Sequence, residues 1–172
     1  MLFSFGLFSL QHCAVILDTN VFIEGWNKYY SLELCPGYWN ILDNLAQEDR
    51  VFSPVEVKRE ILKLDDGLSD WIKSRPYLFK DITLDVQKHL RQIMASHGRL
   101  VDSIRQRSIA DPWVIAFAMT EGAVVVTKEM PVGPNSRRIK IPDVCHALNI
   151  PWMNDFEFAY EIGIRFDAQL KT

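Results

Sequence analysis

The chain has 172 residues, of which 48% are hydrophobic and 24% are charged, a composition typical of a globular domain with a sizeable core. Its formal net charge is −3, which argues against a nucleic-acid binder that depends on bulk positive charge. We expect a single domain over residues 13–172, preceded by an N-terminal extension over residues 1–12.

The first ten residues, MLFSFGLFSL, are apolar but are too short to span a bilayer. They also lack the basic segment and the small-residue cleavage site of a targeting signal. We therefore expect a cytoplasmic protein without a membrane partner. The three cysteines lack zinc-ligand spacing and fit free thiols in a reducing compartment.

Residues 13–17 (CAVIL) form an apolar run without alternation, which predicts a parallel strand buried on both faces. The run ends at Asp18, and either Thr19 or Asn20 could cap a short helix after it. The carboxyl end of such a strand is where α/β folds bind ligands, although Asp is also a common turn residue.

Residues 26–39 are rich in aromatic side chains and contain the turn signal Cys35-Pro36-Gly37. Such rings either stack on nucleic-acid bases or pack beneath a loop, and packing is the more common role. The rings in question are Trp26, Tyr29, Tyr30, Tyr38 and Trp39.

The segment SPVEVKREIL predicts the start of a helix, with Ser53 as the N-cap and Glu56 completing a capping box. Glu60 lies one turn after Glu56 on the same face. Because Glu56 already has a structural role, Glu60 is the better catalytic candidate. Residues 82–107 are predicted to form a helical pair, whose histidines lack metal-ligand spacing.

Residues 110–129 (ADPWVIAFAMTEGAVVVTKE) predict a buried helix, a stop at Gly122 and a buried strand. Asp111 is the expected N-cap, and Glu129 lies just beyond the strand. In a parallel α/β fold, the start of a helix and the end of a strand lie at the same edge of the sheet. We therefore expect both carboxylates at one place.

A loop after Glu129 ends in the one compact basic cluster of the sequence. Contact with a phosphate and simple solvation are about equally expected for these side chains. Asp143 follows near the start of another predicted helix and is a further carboxylate candidate. The residues assigned to substrate binding are Asn20, Arg137, Arg138 and Lys140.

Four acids are thus predicted at one edge of the sheet, Asp18, Glu60, Asp111 and Glu129, with Asp143 as a fifth candidate. Ligation by oxygen atoms alone suits Mg²⁺ or Mn²⁺ and not zinc. Such ions activate water and stabilise charge during phosphodiester cleavage. The pattern therefore indicates metal-assisted hydrolysis of a phosphodiester.

The segments VILDTNVFIE, SPVEVKREIL and ADPWVIAFAMTEGAVVVTKE resemble, in this order, the successive motifs of PIN-domain nucleases, which include VapC-type toxins. The resemblance implies an α/β three-layer sandwich, with a central, mostly parallel sheet flanked by helices. It implies that Asp18, Glu60 and Asp111 are the core metal-binding acids. Thr127 would orient the site through its hydroxyl, and Glu129 would stand where the family more often has Asp.

The chain departs from the family after this last acid, because Met130 and Pro131 lead into a loop where most members have an aromatic residue. Its RRIKIPDVC segment resembles a less-studied PIN subgroup, in which Asp143 would support the site. Family membership implies a Mg²⁺- or Mn²⁺-dependent ribonuclease that leaves 5′-phosphate and 3′-hydroxyl ends. It also implies frequent homodimers and, for toxins, a cognate antitoxin protein.

Two other readings remain open at this point. The first is a catalytically silent PIN-like module for binding or assembly. Loss of some of the four acids would be the simplest mark of such a module, and all four are present here. A phosphotransfer protein of the aspartyl-nucleophile type would need a second Asp two residues after Asp18, where Asn20 stands. The sequence therefore favours the nuclease.

Overall fold

The computed structural model describes residues 13–100, 109–132, 136 and 138–167. Five strands lie in this part of the chain: β1 (Val15–Leu17), β2 (Val51–Pro54), β3 (Phe79–Lys80), β4 (Val124–Val126) and β5 (Trp152–Met153). Its α-helices are α1 (Thr19–Glu24), α2 (Pro36–Gln47), α3 (Val55–Ile61), α4 (Gly67–Lys73), α5 (Leu84–His97), α6 (Asp111–Glu121), α7 (Ile141–Leu148) and α8 (Asp155–Glu161). A π-helical turn, Gly25–Tyr29, follows α1, and 3₁₀ turns occupy Pro76–Leu78 and Gly98–Leu100.

The strands form one parallel sheet in the order β3-β2-β1-β4-β5. The chain first builds the sheet outward from β1 to β3, and then crosses to the other side of β1 to add β4 and β5. The strand order therefore reverses between β1 and β4. A crevice at such a switch point, outside the carboxyl ends of the strands, is where open α/β sheets bind ligands.

Helices flank the sheet, so its central strands are buried on both faces. Every residue of β1 and β4 is buried, which explains their continuous apolar sequence. In the core Ile16 is the register partner of both Phe52 and Val125. The predicted three-layer α/β sandwich is confirmed. None of the helices in the described part of the chain is long and apolar enough to cross a membrane.

The predicted capping box at the start of α3 is wrong, because Ser53 belongs to β2 and Pro54 takes the N-cap position. The Ser53 hydroxyl is buried in the sheet and donates instead to the carbonyl oxygen of Leu17 at 2.7 Å. A buried hydroxyl needs a partner, and the neighbouring strand provides one. This bond ties the end of β2 to the end of β1.

Two further helix starts differ from the predictions. Ala110, and not Asp111, is the N-cap of α6, and Asp18, and not Thr19 or Asn20, is the N-cap of α1. Helix α6 thus begins one residue before the expected position, and α1 begins one or two residues before it. The first helix of the pair predicted over residues 82–107 is confirmed as α5, which a 3₁₀ turn follows, while residues 101–108 lie outside the described residues.

Gly122 ends α6 in the left-handed conformation, with φ 62° and ψ 32°. A Cβ at this position would meet no atom of the described residues within 4 Å, so a substitution acts through the backbone alone. We predict that Gly122→Ala lowers the free energy of unfolding by about 1 kcal/mol, and that Gly122→Asn lowers it less. Urea denaturation measures both changes, and equal stability of the alanine variant and the wild type would contradict the prediction.

Candidate active site

The ends of the two central strands bring Asp18 and Thr127 together. Asp18 directly follows β1, and its backbone N–H donates to the carbonyl oxygen of Val126 in β4 at 3.0 Å. Thr127 directly follows β4, and its hydroxyl donates to Oδ2 of Asp18 at 2.9 Å. Both side chains are 0% exposed. The pair therefore lies at the switch point of the sheet, where a ligand is expected.

The second carboxylate oxygen of Asp18, Oδ1, is buried and has no hydrogen-bond partner among the described residues. The amide nitrogen of Asn20 lies 3.5 Å from the other oxygen, Oδ2, at the outer limit of a hydrogen bond. A buried carboxylate oxygen without a donor is costly unless a proton or a cation neutralises it. Oδ1 is thus the atom of this site that most requires a ligand.

Burial raises the pKa of Asp18 from its ordinary 3.8 to about 7. The hydrogen bond from Thr127 lowers this pKa, while the negative charges of Glu129 and Glu60 raise it. Near neutral pH the carboxyl group is therefore divided between its protonated and charged forms. A cation bound beside it would favour the charged form.

Glu60 connects α3 to the starts of two other helices. Its Oε2 accepts the Thr19 hydroxyl at 2.7 Å, and its Oε1 accepts the backbone N–H of Ala110 at 3.2 Å. Because Ala110 precedes Asp111, these bonds hold the start of α6 beside the start of α1. Asp111 is itself buried, with 6% exposure. The acids from three motifs therefore share one edge of the sheet.

Glu129 lies on the other side of Thr127 and contacts the start of α7. Its backbone N–H donates to the Thr127 hydroxyl oxygen at 3.1 Å, and its Oε2 accepts the backbone N–H of Ile141 at 3.0 Å. Thr127 thus receives one hydrogen bond and gives another, which fixes its hydroxyl between Asp18 and Glu129.

Across the described residues, no three Asp, Glu, His or Cys side chains are placed to hold a metal ion together. Both oxygens of Glu60 and one oxygen of Glu129 accept hydrogen bonds from backbone or hydroxyl groups of the protein. The chemistry of the donor set still fits Mg²⁺ or Mn²⁺, because all candidate donors are oxygens and Oδ1 of Asp18 lacks a partner. The ligand set therefore stays a prediction.

The remaining predicted site residues lie around the loop between β4 and α7. Asp143 accepts the backbone N–H of Val132 at 3.0 Å and that of Lys140 at 2.9 Å, so its carboxylate closes this loop. Its role as a metal ligand stays a prediction. Arg138 is exposed and Lys140 is half-buried, whereas Arg137 lies outside the residues that the structure describes.

Comparison with known proteins agrees with this architecture. A family model described as "Domain of unknown function (DUF4411)" matches residues 15–166. The chain belongs to this family. No curated protein matches the sequence.

A solved structure shares the fold of this DUF4411 chain. It is the "Crystal structure of VapBC2 from Rickettsia felis bound to a DNA fragment from their promoter", matched over 82% of this chain and 98% of that one. The TM-score is 0.50 and the sequence identity is 17%, so the similarity concerns the fold alone. The predicted PIN-like α/β fold is thereby confirmed.

An ion pair beside the site was not predicted from the sequence. Lys128 Nζ lies 2.6 Å from Oδ2 of Asp155, and the two side chains are only 7% and 3% exposed. Lys128 stands between Thr127 and Glu129, and Asp155 begins α8 shortly after β5. The rule that singled out Asp18, an acid just after a buried strand, also applies to Asp155 and could have found it.

The raised pKa of Asp18 predicts how stability depends on pH in the absence of metal. Between pH 3.8 and about 7 the folded protein binds more protons at Asp18 than the unfolded chain, so its stability falls as the pH rises through this window. Each unit of pKa shift corresponds to about 1.4 kcal/mol. Asp18→Asn removes the charge but keeps the shape. We predict that this variant exceeds the wild type in stability above pH 7 and matches it near pH 4.

Thermal or urea denaturation in EDTA over pH 4–8 measures this difference. Glu56→Gln is a positive control: burial also raises the pKa of Glu56, which lies outside the Asp18 site, so this variant should likewise gain stability relative to the wild type as the pH rises. If the stability of Asp18→Asn and that of the wild type changed in parallel with pH, burial of the charged Asp18 carboxylate would not destabilise the fold, and the prediction would be wrong.

Proposed function

We propose that the protein is a Mg²⁺- or Mn²⁺-dependent endoribonuclease, and that it acts as the toxin of a toxin–antitoxin pair. The observation that carries the proposal is the buried, unpartnered Oδ1 of Asp18 at the switch point of a PIN-like sheet. A neutral residue there would stabilise the fold more, so a retained acid at this position favours a functional role.

Asp18 is the proposed central metal ligand, and Glu60, Asp111 and Glu129 are the proposed further ligands. When bound, the ion would polarise a water molecule for attack and neutralise charge on the phosphodiester. Thr127 holds Oδ2 of Asp18 by its hydroxyl and so leaves Oδ1 for the ion. The proposal gives Asp143 a supporting position, since it holds the loop that follows Glu129.

Glu60 has a second role in this proposal, which is to position Asp111. Its bond to the N–H of Ala110 fixes the residue before Asp111, and its bond to Thr19 fixes the residue after Asp18. If an ion binds at this edge of the sheet, Glu60 is a proposed ligand that also keeps the starts of α1 and α6 together.

The proposed contacts with the RNA backbone come from the basic loop before α7 and from Asn20. Arg138 and Lys140 lie just before Ile141, whose N–H contacts Glu129, so the end of this loop is held beside the acids. Arg137 belongs to the same proposal from the sequence alone. Because the chain carries a net charge of −3, such local groups would provide the phosphate contacts.

The toxin assignment is supported by the fold similarity to a chain of the VapBC2 structure. With it we propose a cytoplasmic protein, a homodimer and a cognate antitoxin as partner. The alternative function is a catalytically silent PIN-like binding module. It is favoured by one observation, that both oxygens of Glu60 accept hydrogen bonds from the protein itself.

Cleavage of a mixed RNA pool with Mg²⁺ or Mn²⁺ tests the proposal. We predict that Asp18→Asn and Glu60→Gln each reduce the rate of cleavage by roughly a hundredfold or more, as expected for groups that stabilise a transition state electrostatically. Glu56→Gln, one turn before Glu60 on α3, should cleave like the wild type. EDTA should stop cleavage by every variant that retains activity.

Three outcomes would each contradict one part of the proposal. Full activity of Asp18→Asn would remove Asp18 from the mechanism, and activity in EDTA would remove the metal. Specific binding of RNA without cleavage under either metal would favour the silent module.

A further inference from the structure

The three residues that follow β4 each bond to a different part of the fold. The Thr127 hydroxyl donates to Asp18 after β1, and the Glu129 carboxylate accepts a backbone N–H at the start of α7. Lys128 lies between these two site residues, and its ammonium group lies 2.6 Å from Oδ2 of Asp155 at the start of α8. Side-chain contacts thus hold this stretch at three consecutive positions.

Two aromatic rings lie beside the ammonium group of Lys128. The group is 3.9 Å from the ring centre of Tyr29 and 4.9 Å from that of Phe156, and the two rings meet edge to face with their centres 5.6 Å apart. An ammonium group is attracted to the face of an aromatic ring within about 6 Å. Because the Lys128 side chain is only 7% exposed and is paired with Asp155, its charge acts inside the protein and is not available to a ligand.

These contacts join three segments of the chain that leave the sheet at its carboxyl edge. Tyr29 lies in the π-helical turn after α1, on the segment that leaves β1, and Asp155 begins the helix that follows β5. The backbone links the end of β4 to β5 through Thr127, whose N–H donates to the carbonyl oxygen of Met153 at 3.1 Å. The side chain of Lys128 continues this link beyond the sheet.

A buried ion pair is not an efficient source of stability. Removal of two charges from water is costly, and a well-packed apolar pair of similar size often gives an equally stable or more stable protein. Buried ionic groups can instead specify one arrangement of the chain, because any other arrangement leaves a charge buried without its partner. The pair of Lys128 and Asp155 fits this second role, since it adjoins residues whose positions the candidate site requires.

We propose that Lys128, held by Asp155, is a positioning residue of the candidate site. Its contacts keep Thr127 and Glu129 where their side chains act together with Asp18. The inference rests on the proposed ribonuclease function for its purpose, whereas the positioning itself is measurable without RNA or metal.

Hydrogen exchange of the Glu129 amide tests the proposal, because this N–H donates to the Thr127 hydroxyl oxygen at 3.1 Å. The reference is the amide of Val125, which is bonded between β4 and β5. The variant is Lys128→Met/Asp155→Leu, which replaces the ion pair with apolar side chains. We predict that exchange at Glu129 accelerates roughly three- to tenfold relative to Val125, as expected for the loss of one hydrogen bond. A loss of overall stability alone would not accelerate Glu129 in preference to Val125.

Lys80→Met is the matched control. Lys80 also lies over an aromatic ring, 4.1 Å from the ring centre of Phe52, and it forms ion pairs of 3.4 Å with Asp49 and Glu121. It ends β3 at the other side of the sheet, so its substitution should leave the ratio of the two exchange rates unchanged.

The affinity for Mn²⁺, measured by electron paramagnetic resonance, connects the positioning to the proposed function. We predict a dissociation constant roughly 10- to 100-fold higher in Lys128→Met/Asp155→Leu than in the wild type, as for other groups that orient metal ligands.

An unchanged ratio of exchange rates in the double variant would overturn the positioning role, as would an equal change in Lys80→Met. If the wild type binds Mn²⁺, unchanged affinity in the double variant would also overturn it. The failure of the proposed function looks different. Accelerated exchange at Glu129, in a protein whose wild type neither binds Mn²⁺ nor cleaves RNA, would support the positioning and contradict the nuclease.

Discussion

The hydrogen bond between Thr127 and Asp18 joins the two halves of the sheet at the place where the strand order reverses. Val126 and Asp18 form a second bond there through the backbone, so the ends of β1 and β4 are doubly linked. Two other acids of the site, Glu129 and Glu60, form hydrogen bonds with residues at or next to this link. Glu129 contacts the Thr127 hydroxyl, and Glu60 contacts Thr19, the residue after Asp18. The site thus brings together acids that come from distant parts of the chain.

The acceptor in this hydrogen bond, the carboxylate of Asp18, is buried, and the rest of the protein compensates its negative charge only in part. Thr127 provides one donor, but Glu60 and Glu129 add negative charge near Asp18, and burial raises its pKa to about 7. Residues that violate the usual rules of burial are characteristic of functional sites. A divalent cation would relieve desolvation and repulsion together, which is why a metal-dependent reaction fits this edge of the sheet better than a purely structural role.

The sequence predicted the parallel sheet, the place of Asp18 after β1 and that of Asp111 at the start of α6, because unalternating β-branched runs and Gly122 mark buried strands and a helix end locally. Thr127 was named only through the resemblance to PIN-domain nucleases. The prediction failed where tertiary contacts override a local pattern. Ser53 matches a capping box, yet its hydroxyl bonds to Leu17, which is 36 residues earlier in the chain. The pairing of Lys128 with Asp155 and the rotamer of Glu60 likewise depend on distant partners that no local pattern encodes.

Anomalous diffraction from crystals grown with Mn²⁺ above pH 7 tests the central claim directly, because it locates the ion without requiring the natural RNA. We predict a peak bonded to Oδ1 of Asp18, with a second carboxylate from Glu60, Asp111 or Glu129, and no peak there in Asp18→Asn crystals. An ion that binds elsewhere, or a peak that persists unchanged in the variant, would contradict the assignment of Asp18 as the metal-binding centre of the protein.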